Sequence, residues 1–298
     1  MSMQLISTVI YTGEPVYRTN IPDAQRAVEE ECRTKGGFVA PAHLLLENWP
    51  YTEWLTANSE DLSGVVAADV PRLGVKKDDC VVATYHGGND GKWGLLPPDK
   101  VARALELREQ KKGGLNDLYA AIFSDLYKGD VFTPLVTEGG MPDGRSVQVF
   151  SYEQLLAGEA QAHNADCTPY VVVRPLALAR KTIAGYETID RLTDREGKVT
   201  DSQVITYAGS KANAQGVIQR AKDIFKTEKL GVWHPFNNKQ FNPEQHQGRL
   251  LCLGDSNSGL RGDGNLLNRG RFVRVEAEPR ERGLVHASAT RENVGSVG

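Results

Sequence analysis

The sequence predicts an α+β protein, and three observations support that prediction. Apolar residues recur at helical spacing in segments such as 211–225, where Val217, Ile218 and Ala221 fall on one face. Short β-branched runs such as residues 170–173 are typical of strands. Paired glycines and prolines separate many of these segments. The chain is therefore expected to contain distinct helices and strands that are joined by turns.

The first half of the chain shows both strand and helix patterns. A helix is predicted from Ile21 to about Cys32, because Asp23 suits its first turn and Gly36 follows as a stop signal. β-branched residues predict the strands, and apolar positions at near-helical spacing predict the other helices. The remaining predicted elements are strands at 5–11 and 81–85 and helices over 97–112, 115–127 and 152–163.

The second half is predicted to contain more strands than helices. Strands are expected at 170–173, 204–207, 230–234, 249–253 and 271–275, with one helix over 211–225. Pro175 restricts the first of these strands to a sheet edge or to a strand end, because proline has no N–H to donate. A length of 298 residues suggests two domains. The expected boundary lies near residue 165, after an N-terminal α+β domain (1–165) whose fold and role the sequence does not indicate.

Composition and charge exclude several classes of function. The formal net charge is -3 and basic and acidic residues are interspersed, so no basic surface for nucleic acid or anionic lipid is predicted. The 4 cysteines form no CxxC pair and no nucleotide-binding motif is present, so neither a metal nor a cofactor is expected. Neither a signal peptide nor an apolar stretch of roughly 18 residues is found. We expect a soluble protein of the cytoplasm, or of a particle assembled there.

The most informative segment is 253–275, which reads LGDSNSGLRGDGNLLNRGRFVRV. Its glycines recur every few residues and favour tight turns. Isolated apolar residues recur between short polar ones, namely Leu253, Leu260, Leu266 and Phe272. Apolar residues that fix an otherwise polar loop are typical of a contact surface on a rigid scaffold. A long surface loop that binds nothing fits the composition equally well.

This segment resembles the C-terminal variable region of proteins that are diversified by retroelements. The resemblance rests on GRLLCLG at 248–254, on Gly259-Leu260 and Gly262, and on GRFV at 270–273. It is strongest to the archaeal members, which use a C-type lectin fold. The order of strand, helix, strand and paired terminal strands after residue 170 also fits that fold. The resemblance implies a C-type lectin-like ligand-binding domain over 166–298, with its variable region at about 250–275.

The family also suggests which residues vary. In such proteins a retroelement rewrites adenine-containing codons, and changes in the first two bases of AAC or AAT cannot give Lys, Glu, Gln, Met or Trp. None of these residues occurs at 253–275, although a turn-rich loop would also avoid several of them. The implied scaffold residues are Gly254, Gly259, Leu260, Gly262, Leu266, Gly270 and Phe272. The implied ligand contacts are Asp255, Ser256, Asn257, Ser258, Arg261, Asp263, Asn265, Leu267, Asn268 and Arg269.

Three smaller patterns each have a functional and a structural interpretation. Trp233 could form an aromatic wall beside the variable surface and is therefore a candidate contact, but a core tryptophan at a strand end is the simpler interpretation. The tripeptide at 261–263 spells an integrin-recognition motif, which ordinary turn chemistry explains. Lectin-type calcium ligands could come from Asp255, Asn257, Asp263 and Asn265, and solvated turn residues are again the simpler interpretation.

A serine hydrolase is the alternative function. Residues 253–256 (LGDS) resemble the nucleophile block of SGNH ester hydrolases, and residues 87–90 (GGND) resemble their oxyanion-hole block. The two blocks occur here in the reverse order, and Gly283 stands where that family has an aspartate three residues before its histidine. The sequence therefore predicts a recognition protein that is not an enzyme, with an unidentified protein or surface ligand. A hydrolase that uses Ser256 remains the alternative.

Overall fold

The protein mixes helices and strands, and the α+β class predicted from the sequence is confirmed. The structure, a computed structural model, describes residues 4–11, 13–14, 18–19, 21–47, 56–67, 70–75, 80–87, 93–111, 127, 131–160, 168–179, 181, 185–225, 228–233, 248–253, 259–264 and 270–276. The described strands are β1 (Gln4–Tyr11), β2 (Gly13–Glu14), β3 (Arg18–Thr19), β4 (Phe38–Val39), β5 (Thr56–Ala67), β6 (Cys80–His86), β7 (Gln148–Ser151), β8 (Tyr170–Pro175), β9 (Gly185–Thr188), β10 (Lys229–Trp233), β11 (Gly248–Leu253), β12 (Gly259–Gly264) and β13 (Gly270–Glu276). The described helices are α1 (Ile21–Lys35), α2 (Ala42–Glu47), α3 (Pro98–Lys111), α4 (Phe132–Thr137), α5 (Tyr152–Leu156), α6 (Leu176–Ala179), α7 (Ile189–Leu192), α8 (Ser202–Tyr207) and α9 (Lys211–Phe225).

Among the described strands, 11 belong to one mixed sheet in which β5 is central. The strand order is β7-β8-β6-β5-β11-β12-β10-β9, and β1 and β4 join through β13. One edge of β5 pairs with β11, whereas its other edge pairs with β13 at its start and with β6 further on. Of the strands within residues 248–276, β11 and β13 therefore flank the central strand, and β12 lies on the other side of β11.

The two faces of this sheet cover separate hydrophobic cores. Along β8, Val172 belongs to a core that includes Val217 of α9, and Val173 belongs to a core that includes Val28 of α1. This alternation is expected because successive residues of a strand lie on opposite faces. We call the side of Val172 the α9 face and the side of Val173 the α1 face. The sheet is thus a buried middle layer between two sets of helices.

Strands from both sides of residue 165 share this sheet. β8 pairs with β6 along its whole length, and β13 pairs with β1 from Gly270 to Glu276. The core of the α9 face likewise combines Phe38 and Phe150 with residues of α8 and α9. The division into domains 1–165 and 166–298 gains no support from these pairings and stays a prediction.

The prediction of a strand at 204–207 is wrong, because these residues lie in α8. Asp201 caps that helix: its carboxylate accepts hydrogen bonds from the backbone N–H groups of Gln203 and Val204, at 2.9 and 3.0 Å. Thr206 donates its hydroxyl to the carbonyl of Ser202 at 2.7 Å, as a β-branched residue inside a helix can do. Capping and burial thus outweigh the β propensity of the Val-Ile-Thr-Tyr run.

The predicted arrangement of the terminal strands is also corrected. The turn-rich stretch between β11 and β13 contains a further strand, β12, which pairs with β11 and β10. β13 does not follow β11 in the sheet order but pairs with β1, β4 and β5. The glycines of β12 carry no strand signal, so pairing on both of its edges, rather than propensity, determines its conformation.

Candidate functional site

Most of the predicted contact residues fall in two short segments that lie outside the described residues. We call residues 254–258 the first contact segment and residues 265–269 the second contact segment. The structure describes the strands that flank both of them. Outside the described residues lie Asp255, Ser256, Asn257, Ser258, Asn265, Leu267, Asn268 and Arg269, whereas Arg261 and Asp263 belong to β12 and Trp233 belongs to β10.

Three of the four strand ends that flank these segments, Leu253, Gly259 and Gly270, lie at one end of the sheet, whereas Gly264 is paired with Leu250 further along β11. Leu253, at the end of β11, is paired with Ala57 of β5 and with Leu260 of β12. Gly270, at the start of β13, is paired with Thr56 on the other edge of β5. Because neighbouring strands lie about 4.8 Å apart, Leu253 and Gly270 are roughly 10 Å from each other across β5.

The sheet register also brings predicted contact residues from different strands together. Trp233 is paired with Arg261, Arg261 with Cys252, and Cys252 with Asn58 of β5. Directly paired residues share one face of a sheet. We call these four residues the central row; it crosses β10, β12, β11 and β5 close to the converging strand ends.

The central row lies on the α1 face of the sheet. Val232 belongs to the core of the α9 face and is paired with Leu260, so the residues that follow each of them, Trp233 and Arg261, lie on the opposite face. Helix α1 packs on β1, β4 and β13. These strands attach to the sheet through β13, at the edge of β5 opposite β11. The central row and helix α1 therefore occupy different regions of the sheet.

The scaffold residues next to the contact segments are firmly buried. Phe272, the third residue of β13, is 1% exposed and makes an edge-to-face contact with Trp93, with ring centroids 5.0 Å apart. Val273 and Val275 are equally buried, in the core of the α9 face. Phe272 is therefore a core residue, and the scaffold role that the resemblance implies for it stays a prediction.

The structure does not place the residues of the alternative hydrolase. Ser256, Asn89 and His286 all lie outside the described residues, so the distances that a catalytic serine requires are not defined. Within the described ranges, no group of three or more His, Cys, Asp or Glu side chains is placed to hold a metal ion. In the same part of the chain no helix is long and apolar enough to cross a membrane.

Sequence reasoning missed two members of the central row, Asn58 and Cys252. Asn58 lies in a run of polar residues, TANSED, that carries no strand signal. Cys252 lies in the apolar run LLCL at 250–253, which carries no sign of a contact residue. What relates them to Arg261 is the pairing of strands that are distant in sequence, and a single sequence does not reveal such pairing.

Comparison with known proteins gives one similar structure. No family model matches the chain, and no curated protein matches it. The similar solved structure is described as "Accommodation of massive sequence variation in Nanoarchaeota by the C-type lectin fold". The similarity has a TM-score of 0.49 at 18% sequence identity, and it covers 92% of this chain and 98% of the other.

Proposed function

We propose that this protein is a recognition protein that binds a ligand through its two contact segments and the central row. The single observation that supports the proposal most is the convergence of three strand ends: Leu253 and Gly270 lie on opposite edges of β5, and Gly259 starts β12 beside Leu253. Of the ten predicted contact residues, eight belong to the two contact segments, and Arg261 and Asp263 belong to β12. On this proposal they vary in sequence while the buried core residues of the sheet stay the same. In a surface of this kind, the residues that bind the ligand are not the residues that stabilise the fold.

The polar character of the two segments fits this proposal. Short side chains such as Asn257 and Asn268 offer hydrogen bonds and lose little conformational entropy on binding. Arg261 and Trp233, paired in the register, add the two residue types that contribute most often to binding energy. A protein or another surface with complementary polar groups is the kind of ligand that such a combination fits.

The resemblance to retroelement-diversified variable proteins extends the proposal. Under it, the adenine-bearing codons of the contact segments are rewritten between generations, and the scaffold is of the C-type lectin kind. The protein would then bind different ligands in different cells while keeping one fold, and it would catalyse no reaction.

Two libraries of variants displayed on phage test whether the predicted contact residues bind the ligand while the core residues maintain the fold. The contact library randomises the ten predicted contact positions at 255–269, and the matched core library randomises Val232, Phe272 and Val273, which are all at most 1% exposed. We expect most clones of the contact library to stay as resistant to protease as the parent, and to yield binders to a probe protein such as lysozyme. The core library should lose that resistance. Equal losses in the two libraries would contradict the proposal.

The alternative hydrolase is tested separately with the purified full chain. We expect no hydrolysis of a chromogenic short-chain ester above the rate of buffer, and no difference between the parent and Ser256→Ala. Hydrolysis by the parent that Ser256→Ala abolishes would replace the proposed function with an esterase.

A further inference from the structure

A second candidate site lies in the core of the α9 face, around Arg174 of β8. Arg174 is 0% exposed, although arginine is among the residues that are least often buried completely. It follows three consecutive valines and precedes Pro175, so the sequence places one permanent charge at the end of an apolar strand. A charge in such a place needs compensation from its surroundings.

The contacts of Arg174 come from the first turn of α8. Its Nη1 donates to the Ser202 hydroxyl at 3.1 Å, and its Nη2 donates to Oε1 of Gln203. Gln203 is itself 0% exposed. These two contacts occupy two of the five N–H donors of the guanidinium group.

Two further donors at this place have no acceptor. Neither Nε of Arg174 nor Nε2 of Gln203 has a hydrogen-bond partner within the described part of the chain. Nε is adjacent to Nη2 in the planar guanidinium group, and Nη2 already contacts the Gln203 amide. The two unpaired donors therefore belong to the two groups that this contact joins.

The charge of Arg174 is not matched by a contacting carboxylate. Asp201 acts on it through space, but no ion pair joins the two among the described residues, and the Asp201 carboxylate accepts two backbone N–H groups of α8. The Tyr152 and Tyr207 side chains also lie within electrostatic range. Burial lowers the pKa of Arg174, as expected for a cation that has been removed from water.

We propose that Arg174 and Gln203 hold a small monovalent anion of the size of chloride, between Nε of Arg174 and Nε2 of Gln203. An anion only accepts hydrogen bonds, so it satisfies both donors and neutralises the buried charge. A water molecule would satisfy the donors but would bring two hydrogens of its own and no charge. The complete burial of both residues restricts the site to a small ion and makes its occupancy a property of the folded state.

The proposal is tested by thermal unfolding of the full chain in sodium chloride and in sodium gluconate, both at about 150 mM so that screening is equal. Gluconate is too large for a closed site. We expect chloride to raise the melting temperature by about 5 °C in a saturable manner. The same melting temperature in both salts would overturn the proposal.

Substitutions assign the effect to this site. Arg174→Met should abolish the difference between the two salts, whereas the matched control Arg103→Met should keep it, because Arg103 is exposed and paired with Glu106 at 2.8 Å. A chloride effect that survives in Arg174→Met would overturn the proposal. If Arg174→Met does not fold, Gln203→Met replaces it, since it keeps the length of the side chain and removes the amide.

Crystals grown in bromide provide a measurement that does not depend on any variant. An anomalous difference peak within hydrogen-bonding distance of Nε of Arg174 is the expected result. Density for an ordered water at that position, without an anomalous peak, would overturn the proposal.

Discussion

Gly37 shows at the residue scale how closely the segment after α1 packs on β13. It has a φ angle of +93°, and a Cβ atom there would lie 2.1 Å from the carbonyl oxygen of Val275. Its neighbour Gly36 has a φ angle of +76°, but a Cβ atom there would meet nothing within 4 Å. A side chain at residue 36 would therefore meet backbone strain alone, whereas a side chain at residue 37 would also collide with the backbone of β13.

We expect Gly37→Ala to destabilise the protein far more than Gly36→Ala. The control variant should cost about 1 kcal/mol, the usual penalty for a left-handed residue, and Gly37→Ala should cost more than about 3 kcal/mol because backbone must also move. Urea denaturation of both variants measures the difference. Similar midpoints for the two would contradict the close approach of residue 37 to β13.

Phe272→Ala is expected to cost about 3–5 kcal/mol, because the ring is fully buried against Trp93. Asn268→Ala in the second contact segment should change the stability by less than about 0.5 kcal/mol, because the proposed function makes it a ligand contact that the core does not need. Differential scanning calorimetry compares the two variants. Equal losses would remove the distinction between scaffold and contact residues.

Cys32 gives a prediction about pH. Burial raises the pKa of its thiol to about 11 from 9.0, and the nearby Arg274 partly opposes that shift. Since the folded pKa exceeds the unfolded one, the stabilising contribution of the neutral thiol is complete below the unfolded pKa and is lost as the pH rises through the folded pKa. The stability of the parent should therefore fall more steeply than that of Cys32→Ala between pH 9 and about 11. Urea midpoints measured across that range test the prediction; parallel curves would contradict it.

At the scale of elements, local patterns predicted those helices and strands whose own residues determine them. The helix at 211–225 has the bounds that its apolar periodicity predicted, and Pro175 ends β8 as its missing N–H requires. The helix predicted from residue 152 continues only to Leu156. The helix predicted at 115–127 lies outside the described residues except for Tyr127.

Helix α5 allows a direct test of capping. The Ser151 hydroxyl accepts from the Gln154 N–H at 3.2 Å, and the Gln154 side chain accepts from the Ser151 N–H at 2.9 Å. Ser151→Ala should cost about 1 kcal/mol, because it leaves an N–H of the first turn without a partner. As a control, Glu153→Gln at the exposed position two residues further on should lower the stability by only a few tenths of a kcal/mol. Chemical denaturation measures the free energy of unfolding of both variants. An unchanged value for Ser151→Ala would show that the capping box contributes nothing to stability.

The elements that the sequence did not predict are those determined by distant partners. β12 has three glycines in six residues, and only its pairing with β10 and β11 makes it a strand. The central row depends on the same pairings, so Trp233 and Arg261 could be predicted as candidates but not as neighbours. The sequence does not reveal the surroundings of Arg174, because its partners Ser202 and Gln203 are 28 and 29 residues away along the chain.

At the scale of the whole molecule, the sheet connects distant parts of the chain. The β6–β8 and β1–β13 pairings both cross residue 165. Fragments 1–165 and 166–298, expressed separately, would each lack strands that pair with their own. We expect neither fragment to show a cooperative thermal transition, and a cooperative transition in 166–298 alone would support the two-domain division instead.

The proposed function is tested most directly by sequencing the codons for residues 250–275, with their flanking DNA, across many genomes of the source population. The proposal predicts substitutions that concentrate at the adenine-bearing codons of the two contact segments and of β12, while the codons for Leu260 and Phe272 stay constant. It also predicts a near-copy of the segment beside a reverse-transcriptase gene. A uniform segment with no such copy would contradict diversification.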